Sequence, residues 1–284
     1  MKPIFTCTPV LVCVYQIYLL KFTIAIRVTN GATFHMAATL RVMNLTKRFK
    51  NLTAVDNISF SAVQGEVVAF LGPNGAGKST TMKMITGFLA PSSGTAYIDG
   101  YDILEQPLQA KRTFGYLPEG APSYPDMTVK QFINFISDIR GIQPDLKAQK
   151  VNEVINKVKL QSVLHQRIET LSKGFKRRVG LAQALIHDPR VLILDEPTDG
   201  LDPNQKREVR KLITEMSKDK VIILSTHVLE EVEDLCDRVI VIAAGKILLD
   251  STPQELSHKF PSKSTINILE EVFNDIAKAE HAVN

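Results

Sequence analysis

The 284-residue chain is 44% hydrophobic and 23% charged, enough to bury a large core without a disulfide or structural metal. Its net charge of +4 is spread along the sequence with no basic stripe, so composition excludes any argument for a nucleic-acid partner and none is expected. The three cysteines, Cys7, Cys13 and Cys236, form neither a CxxC pair nor a disulfide-like framework, and the folded body is read as cytosolic.

Residues 9–20 are almost entirely apolar, and Lys21 separates them from a second apolar stretch, 22–26. Lys2 alone makes a weak positive flank, no A-x-A-like site follows, and the run is short for a ~20-residue span. Residues 1–35 are therefore taken as an apolar extension upstream of a functional start near Met36 or Met43, with a membrane anchor as the alternative. From Leu40 the pattern becomes globular, with β-rich runs at 40–45, 58–63 and 66–71. A helix-like stretch follows at 80–88. Met127, Phe132, Phe135, Ile136 and Ile139 fall close to helical spacing, and Val151, Val154, Ile155 and Val158 repeat the theme. Three near-continuous apolar runs, 191–194, 221–224 and 239–242, have the character of parallel strands covered on both faces. The expectation is a doubly wound α/β core spanning 40–260 with an inserted helical part at about 120–187. Beyond Pro261, a tail to residue 284 carries a short amphipathic helix candidate on Ile266, Leu269, Val272, Phe273 and Ile276.

Gly72-Pro73-Asn74-Gly75-Ala76-Gly77-Lys78-Ser79 matches G-x-x-x-x-G-K-[ST] between a strand-like and a helix-like segment. Glycines let the backbone N–H groups wrap phosphates, and the helix N-terminus adds a favourable dipole. Lys78 is expected to bridge the β- and γ-phosphates of ATP, with Ser79 on Mg²⁺ and Thr80 completing the contacting run. Hydrolysis needs a second carboxylate near the metal and a group acting on water. The strand run ending in Asp195-Glu196 supplies both: Asp195 for the magnesium shell, Glu196 for the attacking water.

The region 40–256 resembles the ATP-binding cassette ATPases, and Leu171-Ser172-Lys173-Gly174-Phe175 looks like a variant of that family's signature motif. The resemblance implies a P-loop α/β fold with an antiparallel β subdomain and an inserted helical subdomain. It also implies that Ser172 and Gly174 cap the nucleotide held by a second subunit, so a lone protomer carries two incomplete half-sites. Asp199-Gly200-Leu201-Asp202 resembles the dimer-contacting loop, which places Asp202 at the nucleotide interface, and His227 resembles the switch histidine that reaches the γ-phosphate. Phe49 falls where the family stacks an aromatic on adenine; a core Phe beside the first strand is the other reading.

Three departures stand out. Glu119 occupies the place of a glutamine that touches the metal and its water, and a carboxylate accepts there but cannot donate. Lys173 and Phe175 replace a glycine and a glutamine, and Asp199 replaces a serine. The resemblance further implies a homodimer on the cytoplasmic face of the membrane driving a separate permease of the export type, with the region 114–139 transmitting closure. A soluble cassette ATPase acting on a ribosome or DNA, and a regulatory nucleotide-binding module without turnover, are the rival readings. The single cassette without coiled-coil insertions speaks against the first, and Asp195, Glu196 and His227 against the second.

Overall fold

The computed structural model describes residues 39–121 and 123–259, together with Glu271, which is helical. The expectations for residues 1–35 and for the rest of the tail helix lie outside the described residues.

The chain opens with β1 (Thr39–Phe49) and β2 (Leu52–Val63), an antiparallel pair in which Phe49 faces Leu52 across a two-residue turn. Lys50 in that turn has φ 48°, the sense of backbone that suits a tight hairpin. Next come β3 (Val67–Leu71) and α1 (Lys78–Ile85). The strands β4 (Ser93–Ile98) and β5 (Tyr101–Asp102), the helix α2 (Pro107–Thr113) and β6 (Phe114–Leu117) follow. The helical part consists of α3 (Val129–Ile139), α4 (Pro144–Lys157) and α5 (Lys173–Leu185). The core resumes with β7 (Val191–Asp195), α6 (Pro203–Ser217), β8 (Val221–Thr226) and α7 (Leu229–Leu235). It ends with β9 (Arg238–Ala243), β10 (Lys246–Ser251) and α8 (Pro253–Lys259).

Two sheets result. One is four-stranded and antiparallel, in the order β2-β1-β4-β5; the other is six-stranded, in the order β10-β9-β3-β8-β7-β6. In the second, β9, β3, β8, β7 and β6 run parallel and only β10 is antiparallel. Every residue of β3, β7 and β8 is buried, the signature of parallel strands covered on both faces. Alternation divides them. Ala69, Leu71, Leu192, Leu194, Ile222 and Leu224 join the core built with α3 to α6, while Val68, Phe70, Ile193, Ile223, Ile240 and Ile242 join the core shared with α1 and the antiparallel sheet. Phe60 and Phe70 meet edge to face at 5.0 Å across the second core, and burial of each such ring is worth ~1.5–3 kcal/mol.

The region 114–139 does not begin as a helix. Phe114–Leu117 is a strand, paired in parallel with β7 from Phe114↔Val191 to Leu117↔Leu194. Four apolar or small residues stopped by Pro118 cannot form a stable helix but fill an edge position beside a buried strand. Met127 is likewise outside its helix. Thr128 caps α3, accepting from the Gln131 N–H while the Gln131 side chain accepts from the Thr128 N–H, and this reciprocal cap fixes the start at Val129. Among the described residues, no helix is long and apolar enough to cross a membrane.

Candidate nucleotide site

Parallel strands all end at one edge of a sheet, and here the C-terminal ends of β3, β8, β7 and β6 lie side by side. The loop leaving β3 carries Gly72, Pro73, Asn74, Gly75, Ala76 and Gly77 and runs into α1 at Lys78, two residues before the predicted start. Gly77 has φ 109°, and a Cβ there would lie 2.7 Å from the Ala54 carbonyl oxygen, so only glycine passes between the loop and β2. Lys78 is 4% exposed and curls back over the loop. Its Nζ donates to the carbonyls of Gly72 at 2.7 Å and Pro73 at 3.1 Å and lies 3.7 Å from Glu196 Oε1. Burial pushes this ammonium below its ordinary range, while the charges of Glu196 and Asp195 act the other way. Ser79 and Thr80 follow in the first turn of α1, both half-buried.

Asp195 ends β7 fully buried. Its Oδ1 accepts from Ser79 Oγ at 3.1 Å and from Ser225 Oγ at 2.5 Å, whereas its buried Oδ2 has no protein partner. A carboxylate oxygen left this way calls for a cation or ordered water. Hard oxygens from Asp195 and Ser79 suit Mg²⁺, which keeps several waters and shares its shell with substrate phosphates. Among the described residues no group of three or more His, Cys, Asp or Glu side chains could hold an ion.

Glu196 has φ 51°, a left-handed conformation that costs a non-glycine residue ~1–3 kcal/mol unless its surroundings impose it. They do: its N–H donates to Ser225 Oγ at 2.9 Å and its carbonyl accepts from Arg177 Nη2 at 2.7 Å. The side chain is thereby aimed so that Oε2 meets His227 Nδ1 at 2.9 Å while Oε1 faces Lys78. The Glu196 side chain is 12% exposed and the His227 side chain 46% exposed, so the pair stands at the mouth of the site. Glu119, two residues beyond β6, is exposed and makes no hydrogen bond or ion pair among the described residues, yet its charge reaches Lys78, Tyr116 and Arg177.

The remaining predicted residues gather elsewhere. Ser172 caps α5, accepting from the Phe175 N–H at 3.4 Å. A Cβ on Gly174 would meet the Gln205 side chain at 2.3 Å, so this loop packs against the start of α6. Asp202 caps α6, its Oδ1 accepting from the N–H groups of Asn204 and Gln205, each at 3.0 Å. No hydrogen bond links Ser172, Gly174 or Asp202 to Lys78, Ser79, Asp195 or Glu196 among the described residues. Phe49 is 43% exposed with Lys47 Nζ 5.1 Å from its ring centre, which removes the reading of it as a core residue.

Sequence reasoning missed three residues. Ser225 ties both carboxylate positions together, and its signal was visible only as the first hydroxyl of Ser225-Thr226-His227. Arg177, 6% exposed, joins the Glu196 carbonyl to the Pro118 carbonyl, the latter at 3.4 Å, and nothing in its local sequence marks it. Tyr116 is the third: its hydroxyl is buried without a protein partner.

A phosphate-wrapping loop, a strand-end Asp-Glu pair and a helical insertion between β6 and β7 together define a P-loop nucleoside triphosphatase of the ATP-binding cassette class. The comparisons agree. Residues 55–199 match the family model described as ABC transporter. The chain is 40% identical over 220 residues to the ABC transporter ATP-binding protein YxlF of Bacillus subtilis, covering 78% of this chain and 73% of that one. It is 34% identical over 230 residues to the linearmycin resistance ATP-binding protein LnrL of the same organism, covering 81% and 74% respectively. A solved ATP-binding subunit of an ABC transporter superposes with a TM-score of 0.74 at 28% identity, covering 82% of this chain and 99% of that chain. The chain belongs to the ABC transporter family, as an ATP-binding and ATP-hydrolysing subunit.

Proposed function

We propose that two copies of this chain close around two ATP molecules at the cytoplasmic face of a membrane and drive a separate permease that exports its cargo. One observation carries this reading. Lys78, Ser79, Asp195, Glu196 and His227 converge at one sheet edge, whereas Ser172 and Gly174, implied by the family resemblance to face a γ-phosphate, have their described contacts with Phe175 and with Gln205 of α6 instead. One copy thus supplies most of a site and the facing copy the rest. The export direction rests on likeness to a drug-resistance ATP-binding protein.

On nucleotide binding the Lys78 ammonium would leave the Gly72 and Pro73 carbonyls for the β- and γ-phosphates, the loop N–H groups wrapping the same oxygens. Phe49 would stack on adenine. Ser79 and Asp195 would hold Mg²⁺, with Glu119 beside them, and the ion when bound neutralises phosphate charge as the γ-group is transferred. Glu196 Oε2 would take the proton of the attacking water, with His227 holding that carboxylate from one side and reaching the γ-phosphate. Asp202 would keep α6, and through it the Ser172 loop, in register for the facing copy. The region 114–139, in which the Pro118 carbonyl accepts from Arg177, is the route by which closure would reach the permease.

The test is Glu196→Gln. The amide keeps the shape and the contact with Lys78 but cannot accept a proton, so ATP binding should persist while turnover falls by about 10²–10⁴-fold. Radiolabelled ATP binding and phosphate release read the two separately; turnover at the unaltered rate would refute the assignment.

A further inference from the structure

Tyr116 is half-buried in β6, and its hydroxyl is a buried group with no protein partner. Unpaired buried donors are rare because each forfeits its hydrogen bond to water, so the position of this one is informative. Tyr116 stands opposite Ile193 in the parallel β6–β7 ladder and packs with Ile193 in the core that α1 covers. Two residues on from Ile193, and therefore on the same face of the sheet, is Asp195. Tyr116 and Asp195 are diagonal neighbours within reach of an aromatic side chain. Asp195 Oδ2 is also buried without a protein partner, and its other oxygen is already taken by Ser79 and Ser225. A lone donor and a lone acceptor thus lie on the same face of two paired strands, the face that α1 covers. Burial together with the negative charges of Asp195 and Glu119 pushes the phenol's pKa well above its ordinary value, so the hydroxyl keeps its proton and remains a donor.

We propose that Tyr116 is a positioning residue for the metal–nucleotide site, its hydroxyl donating to a water that in turn donates to one lone pair of Asp195 Oδ2 and fixes the direction of that carboxylate, leaving the other lone pair of Oδ2 for the metal or its water. This deepens the reading above and rests on it. Water bridges of this kind are nearly as favourable as direct hydrogen bonds. Partners that orient a metal-binding carboxylate typically control metal affinity by about 10–100-fold. Tyr116 touches neither phosphate nor attacking water; it acts through Asp195.

The experiment compares the full chain with Tyr116→Phe, which keeps the ring and removes only the oxygen. Free Mn²⁺ is measured by electron paramagnetic resonance during titration in the presence of a non-hydrolysable ATP analogue. Analogue binding in EDTA and the melting temperature are measured beside it. The expected result is Mn²⁺ affinity weakened about tenfold, with unchanged metal-free nucleotide affinity and melting temperature. Equal Mn²⁺ affinity in the two proteins would overturn the proposal, as would a parallel loss of metal-free binding, which would make Tyr116 a packing residue only. If the unaltered chain showed no nucleotide-dependent Mn²⁺ binding, the metal assignment itself would fall, and the inference with it.

Discussion

Ser225 puts one hydroxyl to two uses: it donates to Asp195 Oδ1 at 2.5 Å and accepts from the Glu196 N–H at 2.9 Å. Removing it leaves a partly buried N–H unpaired, at a cost of about 1 kcal/mol, and loosens the left-handed backbone that aims Glu196. Ser225→Ala should therefore lower kcat by about tenfold or more while leaving ATP affinity within about twofold, because Lys78 and the loop are untouched. Steady-state ATPase rates and nucleotide binding check this, and a loss of affinity with unchanged kcat would contradict it. The contrast explains what was legible at this scale. The phosphate loop is contiguous, so its glycines, Lys78 and Ser79 announce themselves. Ser225 becomes a partner of Asp195 only through the β7–β8 register, which pairs the two residues directly, and Arg177 reaches Glu196 across 19 positions of sequence. Long-range hydrogen bonds leave no local pattern to read.

At the scale of elements, the buried parallel strands were readable because covering both faces demands continuous apolar runs, and α3 and α4 because their apolar residues keep helical spacing. The strand β4 was not: Ser93–Ile98 mixes exposed and buried positions and contains Gly94, so its pairing with β1, not its composition, makes it a strand. Short β6 was not singled out either: four residues with Gly115 among them show no clear period. The joint between β6 and α5 carries its own prediction. His187, just past α5, lies 3.0 Å from the Phe114 carbonyl through Nε2, while Nδ1 is buried without a partner. A carbonyl only accepts, so Nε2 carries the proton and a second proton on Nδ1 would bury a charge. Burial first, and then the nearby Arg140 charge, pushes the His187 pKa down to about 4. The unfolded imidazole titrates near 6.5. Between those values the unfolded chain binds the extra proton, so stability is complete above about 6.5 and declines as pH falls toward 4, by up to about 3 kcal/mol. Urea midpoints across this range should fall less steeply in His187→Gln than in the unaltered chain; parallel curves would show that His187 does not titrate this way.

For the whole molecule, the decisive geometry is that the described contacts of Ser172 and Gly174 run to Phe175 and Gln205 and none to the phosphate loop. The proposed division of the site between two copies has a kinetic consequence. Below the dimer dissociation constant, the concentration of complete sites rises as the square of protein concentration, so ATPase activity per milligram should climb with concentration and then level off. Ser172→Ala should lower the plateau, because a capping hydroxyl is missing from every site, yet leave ATP binding by dilute protein unchanged. Mixing Ser172→Ala with Glu196→Gln sharpens the test. In a mixed dimer one site inherits both defects and the other inherits neither, so mixing two feeble proteins should restore about a quarter of full activity at equal amounts, by random pairing alone. A site complete within one chain predicts no recovery at any ratio and specific activity independent of concentration. Should both proteins stay inactive when mixed and unaltered chain show the same inactivity until membranes carrying the permease are added, the alignment of the two halves would belong to the permease, and the same mixing experiment repeated on those membranes would decide between a shared and a self-contained site.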